Sequence, residues 1–396
     1  MTYQAILRYL ENCLDSYLAD LQSLVAIDSG SQYKAGVDAV NDRLTGLLVQ
    51  TGFTVSRYPQ PEAGDNLLAK LKGRGQGRIL LVGHTDTVYP VGTAARRPMT
   101  IQGDKVLGPG TCDMKAGLLS GIYAVRALQA VGFDGFGEIA YLAVSDEETD
   151  PRFSTDLIRA ASREADAVLV LEAARENGDI VSARKGVRWY TIEVFGKAAH
   201  AGVEPEKGRS AVLALAGLVT TIDRLNGLRP GVTLNTGYIH GGGDYPSIVA
   251  DYAKARVDLR GFSRQDMDEA EAALRQLLAD PPVPGVQVKI TLEESSAFPP
   301  MERTPETAAL EAAACAVARE LGFTLRSTAT GGASDACLAS AEGIPTLDGL
   351  GPVGGLDHSP DEYIRLSSIA PRTALLAGLI IRMTAEGERW KDGRPD

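Results

Sequence analysis

Short apolar strand patterns alternate with amphipathic helix patterns through the first half of the chain, and this alternation constrains the fold more than any other feature. The strand patterns are NLLAKLKG, RILLVGH, GEIAYLAVSDEE and DAVLVLE, and the helix patterns are MKAGLLSGIYAVRALQAVG and STDLIRAASREA. Apolar strands that alternate with helices are typical of a sheet covered on both faces. We therefore predict an α/β fold, in which ligands bind beyond the carboxyl ends of the strands.

The pattern changes near Lys185. Beyond it come a strand, a helix, two strands, a helix and a strand, and these strands read GVRWYTIEVFG, VTLNTGYIHGG, DYAKARVDLRGF and VQVKITLEE. This order is that of the ferredoxin-like arrangement. The pattern predicts an inserted α+β domain at 186–296, between two parts of the α/β domain at 1–185 and 297–396.

Composition argues against two classes of partner. The chain has 396 residues, with 40 Lys and Arg against 51 Asp and Glu, so its formal net charge is −11. An acidic chain without a basic face binds nucleic acid and anionic lipid poorly. No uninterrupted apolar segment approaches the roughly 18–20 residues that a membrane span needs. We predict no nucleic-acid partner and no membrane partner.

The N-terminal segment and the cysteines indicate a cellular location. The segment MTYQAILRYLENCLDSYLADLQSLVAI reads as one amphipathic helix and not as a signal peptide, because no basic start and apolar core precede a cleavage site. The four cysteines form no CxxC pair, which argues against a thiolate zinc site. A reduced, cytoplasmic protein is the simpler interpretation.

Acidic and imidazole side chains follow three of the predicted strands. His84 and Asp86 follow RILLVG, Glu147 and Glu148 follow IAYLAVSD, and Glu172 follows DAVLVL. Each has a plain structural interpretation when taken alone, since a single His or a pair of acids in a loop is common. Several such groups at one edge of a sheet are harder to obtain by chance. Their conjunction predicts a functional site.

Two further residues complete a candidate metal site. Asp113 lies in GPGTCDMKAG, a glycine-rich turn that opens a helix, and His358 lies in the late loop GGLDHSPDEY. Two imidazoles and several carboxylates without a thiolate suit a divalent ion, with zinc as the first choice. A mononuclear site needs three protein ligands, whereas this set offers at least five. The set therefore fits two metal ions that share a bridging carboxylate.

The adjacent acids Glu147 and Glu148 diverge at a strand end, so they are expected to serve different atoms. One can bind a metal ion while the other stays unligated as a general base. Asp86 lies two residues after His84 and can accept the ring N–H that does not face the metal.

Five motifs together resemble a known family. GHTDT, GPGTCDMKAG, SDEE, VLVLE and DHSPDEY are similar, in order and spacing, to the dinuclear zinc exopeptidases. That family includes glutamate carboxypeptidase, aminoacylase, acetylornithine deacetylase and succinyl-diaminopimelate desuccinylase. The resemblance runs from about Leu80 to Tyr363, and TGGASDA and LGPVGGLDHSPDEY are most similar to the glutamate carboxypeptidase branch. It implies a zinc-exopeptidase-like α/β sheet catalytic domain with an inserted ferredoxin-like dimerisation domain.

The resemblance also implies the cofactors and their ligands. Two Zn²⁺ ions per chain are expected, with Co²⁺ or Mn²⁺ left open as replacements. One ion is assigned to His84, Asp113 and Glu172. The other is assigned to Asp113, Glu148 and His358, so that Asp113 bridges the two ions.

Catalytic and substrate-binding roles follow from the same resemblance. Glu147 is the implied general base, and Asp86 is the implied partner of His84. His200, in GKAAHAG, is implied to stabilise the oxyanion in the active site of the partner subunit, which requires a homodimer. Arg260, in DLRGF, is implied to bind the carboxylate of the substrate, a task that suits a guanidinium fork.

Substrate specificity is less well defined by the sequence. Ser247 and Gly332 are further candidates for substrate binding, although Ser247 stands where the family commonly has a different residue. In the glutamate-specific enzymes of the family, basic residues bind the glutamate side chain of the substrate. Those residues have no evident counterpart here, because Arg184 and Lys185 lie in a segment with a different sequence pattern.

The predicted function is amide hydrolysis of a peptide or an N-acyl amino acid by a dinuclear zinc exopeptidase. A deacylase or desuccinylase that acts on a biosynthetic amine is the alternative within the same chemistry. A catalytically silent metal-binding relative and a purely structural protein are the alternatives from other classes. Glu147 counts against the silent relative, which needs no general base, and a purely structural protein leaves the acids at the strand ends unexplained.

Overall fold

The computed structural model describes residues 3–149, 151–294 and 297–385. Its α-helices are α1 Tyr3–Asn12, α2 Leu14–Val25, α3 Lys34–Gln50, α4 Thr93–Arg96, α5 Ala116–Ala130, α6 Thr155–Arg163, α7 Ala211–Asp223, α8 Arg264–Ala279, α9 Pro305–Leu321, α10 Asp335–Ser340 and α11 Ile369–Ala385. Its strands are β1 Thr54–Tyr58, β2 Asn66–Lys72, β3 Gln76–His84, β4 Thr100–Gln102, β5 Lys105–Leu107, β6 Phe136–Val144, β7 Ala167–Val170, β8 Ile180–Arg184, β9 Gly186–Phe195, β10 Thr233–Gly241, β11 Tyr252–Gly261, β12 Gln287–Leu292, β13 Ser327–Thr330, β14 Thr346–Leu347, β15 Gly354–Gly355 and β16 Tyr363–Arg365.

The chain divides into two compact units, and the first comprises Met1–Ser182, Arg303–Ala329 and Ser334–Asp396. Its main sheet has the strand order β1-β2-β6-β3-β7-β14. Strands β6, β3, β7 and β14 are parallel, whereas β1 and β2 join antiparallel at one side. Ile79 to Val82 on β3 are all buried, which agrees with a sheet covered on both faces. The first unit therefore has a mixed α/β fold.

The second unit comprises Ala183–Glu302 and Thr330–Ala333. Its elements follow the order β9, α7, β10, β11, α8, β12, and the antiparallel sheet has the strand order β10-β11-β9-β12. Helices α7 and α8 share a separate hydrophobic core with this sheet. The strand and helix order is the ferredoxin-like one. The predicted boundary after residue 185 lies within the second unit, and residue 296 lies outside the described residues.

The N-terminal segment differs from the single helix predicted for it. The segment forms α1 and α2, which are separated at Cys13, where the backbone leaves helical geometry at φ −94° and ψ 2°. Ile6 and Leu10 of α1 and Leu21 and Leu24 of α2 are buried in the core of the first unit. Each helix therefore buries its own apolar stripe in that core.

One apolar segment is longer than the sequence led us to expect. Leu366–Thr384, which includes most of α11, is long and apolar enough to cross a membrane by length and composition. In the fold, 67% of its hydrophobic window is buried, and α11 packs against α1, α5 and α9. A helix that is apolar around most of its circumference is typical of the centre of a large core.

Arg372 on α11 fixes loops near the carboxyl edge of the sheet. Its side chain is 3% exposed and donates hydrogen bonds to the main-chain oxygens of Gly351 (3.2 Å), Gly178 (3.2 Å) and Gly349 (2.6 Å). The amide of Gly351 in turn donates to the main-chain oxygen of Glu172 at 2.8 Å. A buried carbonyl without a donor costs free energy, so this cation stabilises the loop beside Glu172.

We predict that Arg372→Met lowers the free energy of unfolding by about 3 kcal/mol or more, because the loops lose three hydrogen bonds at buried carbonyls. Arg382→Met on the same helix is the control, since that side chain is 31% exposed and lies 3.6 Å from Glu320. An exposed ion pair contributes about 1 kcal/mol or less. Urea unfolding of both variants measures the difference, and equal losses would contradict the structural role given to Arg372.

Candidate metal centre and active site

The parallel register of three strands brings their polar ends to one edge of the sheet. His84 is the last residue of β3 and pairs with Val144, the last residue of β6. Val82 of β3 pairs with Val170, the last residue of β7. Carboxyl ends of parallel strands form the binding edge of an open α/β sheet. The residues that follow β6 and β7 therefore converge on His84.

A first triad forms around the buried ring of His84, which is 1% exposed. Its Nε2 atom lies 2.8 Å from Oδ1 of Asp113 and 3.4 Å from Oε1 of Glu172. Burial opposes a charge on the ring, but hydrogen bonds that the ring donates to the carboxylates of Asp113, Asp86 and Glu172 raise the pKa of His84 well above its usual range. Burial and the nearby Asp113 carboxylate raise the pKa of Glu172 to about 7.

A second triad forms around His358, whose Nε2 atom lies 3.2 Å from Oδ2 of Asp113 and 3.1 Å from Oε2 of Glu148. Hydrogen bonds to Asp113 and Glu148 raise the pKa of His358 to about 11. Burial raises the pKa of Glu148, and it opposes ionisation of Asp113. His358 and His84 outweigh that burial and hold the pKa of Asp113 well below its usual range.

The two triads share Asp113, which contributes one carboxylate oxygen to each. Within each triad the candidate ligand atoms all lie within 4.8 Å of one another. Oε1 of Glu148 is buried and has no hydrogen-bond partner in the described part of the chain. A buried carboxylate oxygen without a donor is costly unless a cation or a proton is present. The mixture of nitrogen and oxygen donors fits two zinc ions or similar divalent ions.

Asp86 contacts the other nitrogen of the His84 ring. Nδ1 lies 3.0 Å from the main-chain oxygen of Asp86 and 3.3 Å from its carboxylate oxygen Oδ1. The main-chain oxygen is thus the nearer acceptor for the ring proton. The carboxylate accepts hydrogen bonds from the Ser31 hydroxyl (2.6 Å) and from the amide of Glu148 (3.1 Å) through Oδ2. Asp86 therefore connects the ends of β3 and β6 and orients the ring.

Glu147 lies at the same edge and belongs to neither triad. Burial raises the pKa of its carboxyl group well above the usual range, and the carboxylates of Asp335, Glu172 and Glu148 raise it further. Asp335, at the start of α10, is itself 2% exposed, and its Oδ1 atom has no hydrogen-bond partner among residues 3–149, 151–294 and 297–385. Sequence reasoning missed Asp335, although this residue lies within the TGGASDA motif.

Sequence reasoning also missed Glu362, which follows His358 by four residues in DHSPDEY. Its side chain is 1% exposed and accepts hydrogen bonds from the amides of Cys112 (2.7 Å) and Asp113 (3.0 Å). In the sequence, Glu362 is an acid within a motif typical of a loop, and nothing in the pattern distinguishes it from a solvent-exposed acid. Only the fold reveals its contacts.

The second unit holds the remaining predicted residues. His200 and Ser247 are both exposed, and they are neighbours because His200 forms a β-bridge with Ile248. The amide of Ala201 donates to the main-chain oxygen of Ser247 at 2.8 Å. The Nδ1 atom of His200 accepts a hydrogen bond from the amide of Gly202 at 3.1 Å, which leaves Nε2 to carry the proton of a neutral ring.

Arg260 and Gly332 lie in another part of the second unit. Three consecutive main-chain carbonyls, in 330–332, accept hydrogen bonds from basic residues. The carbonyl of Thr330 accepts from the amide of Lys185 at 3.0 Å. The carbonyl of Gly331 accepts from Nη1 of Arg260 at 2.8 Å, and that of Gly332 accepts from Nη1 of Arg184 at 3.1 Å. Nε of Arg260 also contacts Asp258 at 3.0 Å. Burial and the charge of Arg260 lower the pKa of Lys185. The sequence offered Lys185 only as a residue without an assigned role.

The chain is similar to known proteins over most of its length. The sequence profile of peptidase family M20/M25/M40 matches residues 80–382. Carboxypeptidase G2 of Pseudomonas sp. (strain RS-16) is 31% identical over 370 residues, which cover 92% of this chain and 88% of that protein. Acetylornithine deacetylase of Edwardsiella ictaluri (strain 93-146) is 29% identical over 390 residues, which cover 93% of this chain and 97% of that protein.

Solved structures have the same fold. Aminopeptidase PepT of Bacillus cereus ATCC 10987 superposes with a TM-score of 0.77 at 23% identity, covering 94% of this chain and 99% of that one. An M20 family metallo-carboxypeptidase of Sulfolobus solfataricus superposes with a TM-score of 0.71 at 17% identity, covering 93% of this chain and 99% of that one.

We predict that binding of a divalent ion to the metal-free protein releases protons near neutral pH. Because the pKa of His358 is raised to about 11, its ring is protonated below that pH, and an ion must displace the proton. Apparent affinity should therefore fall as the pH is lowered. Calorimetric titration with Zn²⁺ in buffers of different ionisation enthalpy counts the protons. A binding heat that is the same in every buffer would contradict this prediction.

Proposed function

We propose that this protein cleaves the amide bond next to a C-terminal amino acid or within an N-acyl amino acid, because the chain belongs to peptidase family M20/M25/M40. It is a hydrolase of that family. One observation carries the proposal. Two triads of metal-ligand type share Asp113, and the half-buried acid Glu147 lies beside them without belonging to either. This is the arrangement that metal-assisted hydrolysis requires: a place for two cations and a separate proton acceptor.

The proposed cofactors are two zinc ions per chain. His84, Asp113 and Glu172 would hold one ion, and Asp113, Glu148 and His358 would hold the other. When bound, such ions polarise the scissile carbonyl and lower the pKa of the attacking water. The mixed imidazole and carboxylate ligands also accept Co²⁺ or Mn²⁺, so the metal in the cell is a separate question.

Glu147 is the proposed general acid and base. Its carboxylate accepts a proton from the attacking water and then donates it to the leaving amine. Burial and three neighbouring carboxylates raise its pKa, and a general base works best with a pKa near the working pH. Asp86 is proposed to hold the ring of His84 in one tautomer through the Nδ1 contact at 3.0 Å.

Arg260 is proposed to bind the free carboxylate of the substrate, and Gly332 and Ser247 are proposed to line the substrate site. Nε and Nη1 of Arg260 are already engaged by Asp258 and by Gly331, which fixes the direction of the guanidinium. A fixed guanidinium recognises a carboxylate better than a mobile ammonium does. Such recognition would make the enzyme an exopeptidase or an N-acyl-amino-acid hydrolase and not an endopeptidase.

A homodimer is proposed because His200 is exposed and is available to a second chain. In that role His200 of the partner subunit stabilises the oxyanion of the tetrahedral intermediate. Strand β10 is an edge strand with Tyr238 and Ile239 46% and 57% exposed, and Leu213 on α7 is 64% exposed. An unpaired strand edge with exposed apolar side chains favours pairing with another chain. A cytoplasmic location is proposed from the four free cysteines.

A deacylase or desuccinylase is the second candidate function. The similarity to acetylornithine deacetylase, at 29% identity, favours it almost as much as the similarity to carboxypeptidase G2 favours an exopeptidase. Hydrolysis of a mixed panel by zinc-loaded protein separates the two candidates. N-aroyl-glutamate, dipeptides, N-acetyl and N-benzoyl amino acids, N-acetylornithine and N-succinyl-diaminopimelate form the panel, with chelated protein as the control. Cleavage of no member by zinc-loaded protein would contradict both candidates.

We predict that Glu147→Gln lowers kcat by about 10²–10⁴-fold and leaves two bound metal ions, because it removes a proton acceptor and no ligand. Glu148→Gln is the matched comparison at the same strand end, and we expect it to lose one ion. Mass spectrometry measures the number of bound metal ions in each variant, and steady-state kinetics measure its kcat. Unchanged turnover in Glu147→Gln would exclude it as the general base.

We predict that mixing two inactive variants, Glu147→Gln and His200→Ala, restores part of the activity. A mixed dimer contains one site with both native groups if His200 of the partner subunit acts across the interface. The measurement is activity after the subunits are dissociated together and reassembled, with each variant treated alone as a control. Mixed dimers that form and stay inactive would argue against a shared site.

A further inference from the structure

Glu362 lies beneath the loop that carries Asp113, and its carboxylate has four hydrogen-bond donors. Oε1 accepts from the amides of Cys112 at 2.7 Å and Asp113 at 3.0 Å. Oε2 accepts from the amide of Gly110 at 2.9 Å and from the hydroxyl of Tyr89 at 2.6 Å. The side chain is 1% exposed, so no solvent replaces these contacts.

The loop above Glu362 forms one irregular turn, in which the amide of Lys115 donates to the main-chain oxygen of Gly110 at 2.8 Å. Gly110 has φ 75°, and Asp113 and Met114 have non-helical backbone angles of φ −121°, ψ 92° and φ −136°, ψ 34°. Regular helical hydrogen bonding resumes in α5, which begins at Ala116. A carboxylate is the side chain that can accept from several amides at once, because it has two oxygens and no donor.

The contacts of Glu362 connect all three segments that carry the imidazoles and the shared carboxylate. Tyr89 follows His84 by five residues, the amides belong to the loop of Asp113, and Glu362 itself follows His358 by four residues. The Tyr89 hydroxyl also lies 2.9 Å from the main-chain oxygen of Ser359, in the His358 loop.

We propose that Glu362 is a positioning residue for the metal centre, an inference that rests on the proposed function. By fixing the backbone of Asp113 relative to the His358 loop, it holds the two Asp113 oxygens where one meets His84 at 2.8 Å and the other meets His358 at 3.2 Å. Glu362 contacts no ligand atom of either triad in the described structure, so it acts only through the loops. Supports of this kind commonly change metal affinity by about 10–100-fold.

Three variants separate the contributions within this network. Glu362→Gln keeps the volume of the side chain but replaces one carboxylate oxygen with an NH₂ group. This group is a donor, so it cannot accept the hydrogen bonds that the replaced oxygen accepted. Glu362→Asp keeps the charge but withdraws it by one methylene. Tyr89→Phe removes one donor and leaves the three amide contacts in place. The control is Glu176→Gln, because Glu176 is an exposed acid that accepts from the Tyr363 hydroxyl at 3.0 Å and, within the described residues, accepts no hydrogen bond from the Asp113 loop.

The experiment is a Co²⁺ titration of the metal-free protein, followed by visible absorption and by counting bound ions after dialysis. Wild type and Glu176→Gln should bind two ions with the same spectrum. Glu362→Gln should bind at least one ion about 10–100-fold more weakly and with an altered spectrum. Glu362→Asp should lie between them, and Tyr89→Phe should differ little from wild type.

Circular dichroism and melting of the metal-free variants separate positioning from folding. If Glu362→Gln melts at a lower temperature but binds two ions with the wild-type affinity and spectrum, its role is only structural and the inference is overturned. If Glu362→Gln does not fold, Glu362→Asp carries the same test. If wild type binds no Co²⁺, the proposed metal centre fails, and the inference fails with it for that separate reason.

Discussion

The shared carboxylate of Asp113 is the constraint on which the rest of the site depends. His84 and His358 come from opposite ends of the chain, yet both reach this one side chain, at 2.8 Å and 3.2 Å. The contact requires a sheet that ends β3 at His84, a glycine turn that leaves Asp113 outside helical geometry, and a late loop that returns to the same edge. Two imidazoles and three carboxylates at such distances favour divalent cations, since the acids repel one another without them.

The two units of the chain contribute different physical environments. In the first unit, His84 and Asp86 are buried, Glu147 and the acids of the two triads are half-buried, and His358 is exposed. Burial and mutual repulsion raise the pKa values of Glu147 and Glu172. In the second unit, His200 and Ser247 are exposed and Arg260 is half-buried. Partial burial of charged groups shifts their pKa values, and shifted pKa values are common at catalytic sites.

The sequence was sufficient to predict which residues lie at the strand ends, but it was insufficient to predict which loops contact one another. Alternating strand and helix patterns predicted the sheet, and the register of parallel strands explains why His84 and Glu172 meet. Glu362 was missed because its donors lie about 250 positions away along the chain, and no local pattern reports such a contact. Asp335 was missed because it approaches Glu147 only in the folded chain. The break at Cys13 was missed because the apolar residues keep their helical spacing across it.

Anomalous diffraction at the zinc edge, from crystals grown with zinc, tests the central claim most directly. The account predicts two peaks in the anomalous difference map. One should lie among His84, Asp113 and Glu172 and the other among Asp113, Glu148 and His358. A single peak, or two peaks of which only one contacts Asp113, would contradict the shared-carboxylate centre from which the proposed hydrolysis and the role of Glu362 are both derived.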